Sequence, residues 1–269
     1  MNDQAGVAAT TQRGRGLYQQ VATLRTDSWW TEPAITFVVF SAFVVYATWA
    51  ALIANAHYFV DPYLSPFYSP CLSTTCDHVT IGLLDWPLSP AFLILWAPLG
   101  FRMTCYYYRK AYYRAFWLSP PACAVRDGHK RYTGETRFPL LIQNLHRYFF
   151  YAATFLIVPF LWWDVLMAFS FPTGEGHHEF GIGVGTLVLL VNSVLLTLYS
   201  LSCHSCRHLC GGHRDVLSQA PTQLSMWRAV TRLNERHMEL AWVSLFGVAF
   251  ADLYVRLLSM GYITDLRII

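Results

Sequence analysis

Phe180-Gly181-Ile182-Gly183-Val184-Gly185-Thr186-Leu187-Val188-Leu189-Leu190-Val191-Asn192-Ser193-Val194-Leu195-Leu196-Thr197-Leu198-Tyr199-Ser200-Leu201-Ser202-Cys203 is an apolar run without a charged side chain, and it passes directly into His204-Ser205-Cys206-Arg207-His208-Leu209-Cys210-Gly211-Gly212-His213. A hydrocarbon core of about 30 Å takes about 20 helical residues, so the run is long enough to cross a bilayer. Where it ends, three cysteines and three histidines fall within eleven residues, Cys203 to His213. Packing alone seldom produces such a density of metal-ligating side chains.

Four further stretches have spanning length: Ile35 to Phe59, Leu88 to Tyr108, Tyr148 to Phe171 and Leu240 to Tyr262. The second carries Pro90, Pro98 and Arg102, so a kink is expected there. The chain is 55% hydrophobic and only 13% charged, which excludes an ordinary soluble domain. The expected fold is an all-α integral membrane protein, a five-transmembrane-helix bundle over residues 35–269 behind a short N-terminal segment, 1–34. That first segment, polar and basic, lacks the pattern of a cleavable signal. Of the 19 Lys and Arg, three precede the first span, eight lie between Arg109 and Arg147, and five between Arg207 and Arg236; the alternate loops, 61–87 and 172–179, have none. This bias puts the N-terminus in the cytoplasm, the C-terminus outside, and the protein in the cell inner membrane as a multi-pass chain. No internal repeat stands out, and nothing points to nucleic acid.

Cys71 and Cys76 share a loop expected outside, where a local disulfide is reasonable. Cys105, Cys123, Cys203, Cys206 and Cys210 map to the inner side, together with His129, His146, His204, His208, His213 and His237. Potential ligands from separate chain segments therefore converge at one depth. His204 and His208, at i and i+4, share a face if the helix continues that far, and Gly211-Gly212 then ends it. Three cofactor chemistries compete. A haem b needs two axial imidazoles from different helices, and His146 with His204 or His208 supplies such a pair. An outer haem would have only His57, His78, His177 and His178 to draw on. A Rieske-type [2Fe-2S] cluster needs two thiolates and two imidazoles, four of Cys105, Cys123, Cys203, His204, His208 and His237. A structural zinc site would use the same donors.

Arg102 lies inside a span, where a cation is costly unless paired or used. With Tyr106 and Arg147 it is placed to orient the carbonyl oxygens of a quinone. Asp252 and Arg256, at i and i+4 on the last span, read as an ion pair facing the bundle interior, with Asp252 and Tyr254 as a second candidate quinone contact. Asp164 lacks an evident partner in sequence.

The stretches Arg102-Met103-Thr104-Cys105-Tyr106-Tyr107-Tyr108-Arg109-Lys110, Pro120-Pro121-Ala122-Cys123, Cys203-His204-Ser205 with Arg207-His208-Leu209, and Asp252-Leu253-Tyr254-Val255-Arg256 resemble the membrane-anchor subunit of succinate dehydrogenase or fumarate reductase. The likeness covers most of the chain after Ser28 and is greatest to a haem-free branch with a Rieske-type cluster in the anchor. It implies flavoprotein and iron–sulfur subunits as partners, and menaquinone or ubiquinone as the acceptor. It also implies that this chain, which lacks a flavin fingerprint and a ferredoxin cysteine pattern, leaves the dicarboxylate chemistry to its partners and forms the quinone-reducing site.

Overall fold

The computed structural model describes residues 23–52, 56–71, 79–81, 84–86, 90–128, 134–174, 176–212 and 214–269. Nine α-helices carry the described chain: α1 Thr31–Leu52, α2 Trp96–Thr104, α3 Tyr106–Ala115, α4 His146–Ala152, α5 Val158–Met167, α6 Val184–Leu201, α7 His204–Gly211, α8 Pro221–Glu235 and α9 His237–Ser259. Four helical stretches among the described residues are long and apolar enough to cross a membrane: α1, Leu140–Met167, α6 and α9. The Leu140–Met167 stretch joins a 3₁₀ turn, α4, a π turn at Ala153–Ile157 and α5. Pro159 accounts for the π turn. It has no N–H for the carbonyl four residues back, and its ring would strike that carbonyl in a regular helix.

The expected second span differs. Instead of one helix over Leu88 to Tyr108, a 3₁₀ turn at Pro90–Leu93 leads into the nine-residue α2, and Cys105 is extended (φ −64°, ψ 135°) before α3 begins. Pro98 is the reason α2 starts where it does. A proline is tolerated only in a helix's first turn, whose N–H groups lack intrahelical partners. The bundle is not purely helical either, because the loops expected outside fold partly as antiparallel hairpins: β1 Phe59–Val60 with β2 Tyr63–Leu64, β3 Val79–Ile81 with β4 Leu84–Trp86, and β5 Ser170–Gly174 with β6 His177–Phe180. Gly174 and Gly176, at φ +89° and +78°, make the last of these turns. α6 is consequently shorter than the run that begins at Phe180.

The chain forms two compact units. The smaller comprises residues 1–37 and 111–132; within it Phe37 packs on Phe116 at 4.7 Å between ring centroids, and the Arg25 guanidinium pairs with Asp27 and donates to the Cys123 carbonyl at 2.8 Å. The larger comprises 38–110 and 133–269 and has α6 against α9 as its central contact. Its main core is aromatic and sulfur-rich, with Phe101, Cys105, Tyr108, Phe150, Tyr199, Cys203, Cys206 and Leu245 buried together. Toward the far end of α9, the Asp252–Arg256 pair predicted from spacing is present at 2.9 Å and fully buried. Tyr46 donates to Asp252 Oδ2 at 2.5 Å and the Ser65 hydroxyl to Oδ1, while Arg256 donates to the carbonyls of Ala56 and Ala50 at 2.9 and 3.1 Å. Tyr254 points elsewhere, donating to Asp265 at 2.7 Å; Tyr63 and the Gly185 N–H bond the same carboxylate. Cys71 is disulfide-bonded. Cys76, His78, His129 and His213 lie outside the described residues.

Candidate functional site

Helix α6 does not run on into α7. It ends at Leu201, and Cys203 is extended (φ −64°, ψ 145°), its sulfur accepting from the Ser205 N–H at 3.3 Å to cap the new helix. The same break occurs at Cys105 between α2 and α3, with nearly identical backbone angles. Each break points a thiol inward, and each thiol meets an imidazole that stands at the first position of another helix. Cys203 Sγ lies 3.2 Å from His146 Nε2, at the start of α4, and Cys105 Sγ lies 3.5 Å from His237 Nε2, at the start of α9.

The surroundings of the two imidazoles match. Thr104 donates its hydroxyl proton to the Gly100 carbonyl at 2.7 Å, so its oxygen is left to accept from His146 Nδ1–H at 2.8 Å. Ser202 likewise donates to the Tyr199 carbonyl at 2.8 Å and accepts from His237 Nδ1–H at 2.6 Å. With the proton on Nδ1, each Nε2 presents a lone pair to the thiol opposite. Such outer hydrogen bonds fix tautomer and ring orientation at metal sites. Phe101 stacks on His146 at 5.2 Å and Tyr199 on His237 at 5.1 Å. The pairing is crosswise, since the hydroxyl beside Cys105 holds the imidazole that faces Cys203, and the reverse.

The sequence signal behind this arrangement is a repeat. Phe101-x-x-Thr104-Cys105-x-x-x-Arg109 and Tyr199-x-x-Ser202-Cys203-x-x-x-Arg207 share one pattern of aromatic, hydroxyl, thiol and guanidinium. Spacing alone favours His204 and His208 and leaves His146 out of the ligand set, because the i, i+4 argument assumes one continuous helix. With the helix restarting at His204, that residue is partly exposed, its ring 6.4 Å from His237, and burial beside Arg207 lowers its pKa. His208 faces outward and accepts from Arg147 at 3.1 Å through Nδ1. Gly212 lies beneath that ring: a Cβ there would stand 2.4 Å from His208 Cε1, so the α7 terminus needs glycine for the close approach, its φ of −76° being ordinary. Cys206 is buried, and burial with the neighbouring Cys210 thiol pushes its pKa up to about 12. Cys123 belongs to the smaller unit, where it is exposed.

Among the described residues no three His, Cys, Asp or Glu side chains surround a single point closely enough for one metal ion. The four donors stand as two pairs.

Arg102 is committed to the protein. It donates to Tyr108, to the Ala241 carbonyl at 3.2 Å and to Ser244 at 3.1 Å, and its guanidinium lies 4.8 Å from the Tyr199 ring centroid. Tyr106 and Arg147 are the exposed members of the expected quinone set. Asp252 and Tyr254 are occupied by the contacts described above.

Comparison with known proteins bears on this geometry. The solved Mycobacterium smegmatis Sdh1 complex in the apo form contains a chain 48% identical to this one, covering 92% of this chain and 94% of that one with a TM-score of 0.82. Among curated proteins no match is found. A family described as actinobacterial succinate dehydrogenase subunit SdhC matches residues 31–261, and the chain belongs to that family.

Proposed function

We propose that this chain is the electron-relaying membrane anchor of a succinate:quinone oxidoreductase and that Cys105, Cys203, His146 and His237 hold a Rieske-type [2Fe-2S] cluster. As a succinate dehydrogenase anchor subunit it sits in the bacterial inner membrane as a multi-pass chain, in a complex with flavoprotein and iron–sulfur subunits and with quinone. The donor set fits the cluster: two thiols and two imidazoles, each imidazole held with Nε2 free by a hydroxyl that has spent its own proton. When bound, such a cluster passes single electrons, and imidazole ligation raises its potential above that of an all-cysteine cluster.

The chain's residues do the rest. The two thiols lose their protons on ligation, and the buried aromatic shell of Phe101, Tyr199 and Tyr108 excludes water from the donors. Tyr106 and Arg147, exposed beside the site, are the groups we assign to the quinone carbonyls. The charge bias supports the cytoplasmic side for these residues, and we assign the docking of the iron–sulfur subunit to that side. The observation that carries this reading is the crosswise Cys–His pairing.

A haem b anchor, the alternative, would need His146 opposed to His204 or His208 across a macrocycle; here His146 Nε2 faces the Cys203 sulfur, and His208 faces outward to Arg147.

Iron and acid-labile sulfide analysis with low-temperature EPR of the purified complex tests the assignment. A low-g Rieske-type signal that is lost in Cys105→Ser and in His146→Ala supports it. A Soret band with bis-histidine features, or a signal untouched by both variants, overturns it.

A further inference from the structure

Helices α6 and α9 leave a groove of about 230 Å³ lined by Val188, Val191, Asn192, Leu195, Gly247 and Phe250, among others. All of it is apolar except Asn192, which is 2% exposed and whose Oδ1 and Nδ2 both lack a hydrogen-bond partner among the described residues. Asn192 is the ninth of the eighteen residues of α6, so it sits near the middle of a helix that crosses the bilayer. A buried amide without a partner is costly, and at that depth no water repays it. Gly247 opens the way to it: a Cβ there would stand 3.2 Å from Leu195 Cδ1 and 3.7 Å from Asn192 Oδ1.

The groove exceeds the cavity of about 150 Å³ known to take up benzene, so it admits a substituted ring. Depth narrows the chemistry. Phospholipid ester carbonyls lie at the interface, well away from the centre of α6, whereas a ring on an apolar tail reaches it. One amide also serves both redox forms of such a ring, since Nδ2 donates to a carbonyl and Oδ1 accepts from a hydroxyl. We propose that this groove binds an isoprenoid quinone or quinol by its ring oxygen, as a site separate from Tyr106 and Arg147. Asn192 lies nine positions before the end of α6 at Leu201, a helical rise of about 14 Å that separates it from the bend at Cys203. The ligand's identity rests on the quinone-linked function above; the groove and its orphaned amide do not.

The purified complex in nanodiscs, illuminated with a decyl-tailed azidoquinone, tests this. Label is expected on peptides from α6 and α9 and should be displaced by the same quinone without the azide. Asn192→Leu should cut that label about threefold to tenfold, the cost of one lost hydrogen bond. Gly247→Ala, which narrows the groove and keeps the amide, should cut it too, with succinate oxidation by a soluble acceptor unchanged as the check on folding. Label absent from α6 and α9, label equal in wild type and both variants, or an interchain disulfide in Asn192→Cys showing a second copy in the groove would each overturn the proposal. Labelling the Cys203→Ser complex separates the two readings: α6 and α9 keep their label there whether or not the cluster assignment stands.

Discussion

Two polar clusters are buried toward opposite ends of α9, and they differ in what their atoms bond. At the Asp252–Arg256 pair every charged oxygen and nitrogen has a protein partner, from Tyr46, Ser65, two backbone carbonyls and the pair itself. At the Cys105–Cys203 site each Nε2 faces a thiol, Cys203 accepts besides from the Ser205 N–H at 3.3 Å, and the outer imidazole nitrogens are firmly tied. A saturated network is finished as it stands. Imidazoles anchored on their far sides and facing thiols on their near sides suit the cluster proposed above. The contrast separates the two kinds of polarity where burial cannot, since Cys105, Cys203 and His237 are as enclosed as Asp252 and Arg256.

Substitutions at the two clusters should therefore fail differently. Cys203→Ser is expected to have the largest effect, reducing quinone reductase activity to background while succinate oxidation with an artificial acceptor stays within about twofold; equal loss of both would collapse the distinction. Asp252→Asn should do the opposite. Leaving Arg256 buried without its counter-charge costs about 3–5 kcal/mol, so thermal stability of the complex falls while the EPR signal per assembled complex persists. A lost signal in fully assembled Asp252→Asn complex would mean that the two ends are not independent.

Ser202→Ala probes the anchored side of the relay site. The change removes the acceptor for His237 Nδ1–H, and outer-ligand losses of this kind weaken metal affinity about 10- to 100-fold. Iron content after dialysis against a chelator reads this directly, and retention equal to wild type would show that the hydroxyl does not orient the ring. The smallest effect is expected at Tyr106→Phe, a rise in the apparent KM for quinone of about threefold to tenfold with the EPR spectrum unchanged. An altered spectrum would move Tyr106 from the quinone to the donor set.

Much of this architecture is legible in the residues before any coordinates. Four of the five expected spans follow from apolar length, and the Asp252–Arg256 pair from helical spacing. What spacing misses are the interruptions. Proline marks the start of α2, but nothing local dictates that Cys105 and Cys203 leave the helical conformation. Those bends are set by contacts with His237 and His146, each more than thirty residues away. His204 and His208 attract notice because they share a face of an imagined continuous helix, and His146, alone in sequence, is read as a haem ligand and left out of the cluster set. The paired pattern Phe101-x-x-Thr104-Cys105 and Tyr199-x-x-Ser202-Cys203 carries the information, in residue classes rather than identities. The site is assembled from four chain segments, and only tertiary structure aligns them.

The two bends have a consequence for biogenesis. Each thiol hangs from a single extended residue between a helix that ends behind it and another that starts ahead of it, so both sulfurs stand at helix junctions rather than inside a helix. The lipid-crossing helices can thus enter the membrane and close on one another with both thiols still protonated. On the cluster assignment proposed above, a cell starved of iron is expected to accumulate an inserted subunit that passes no electrons and is open to loading in place.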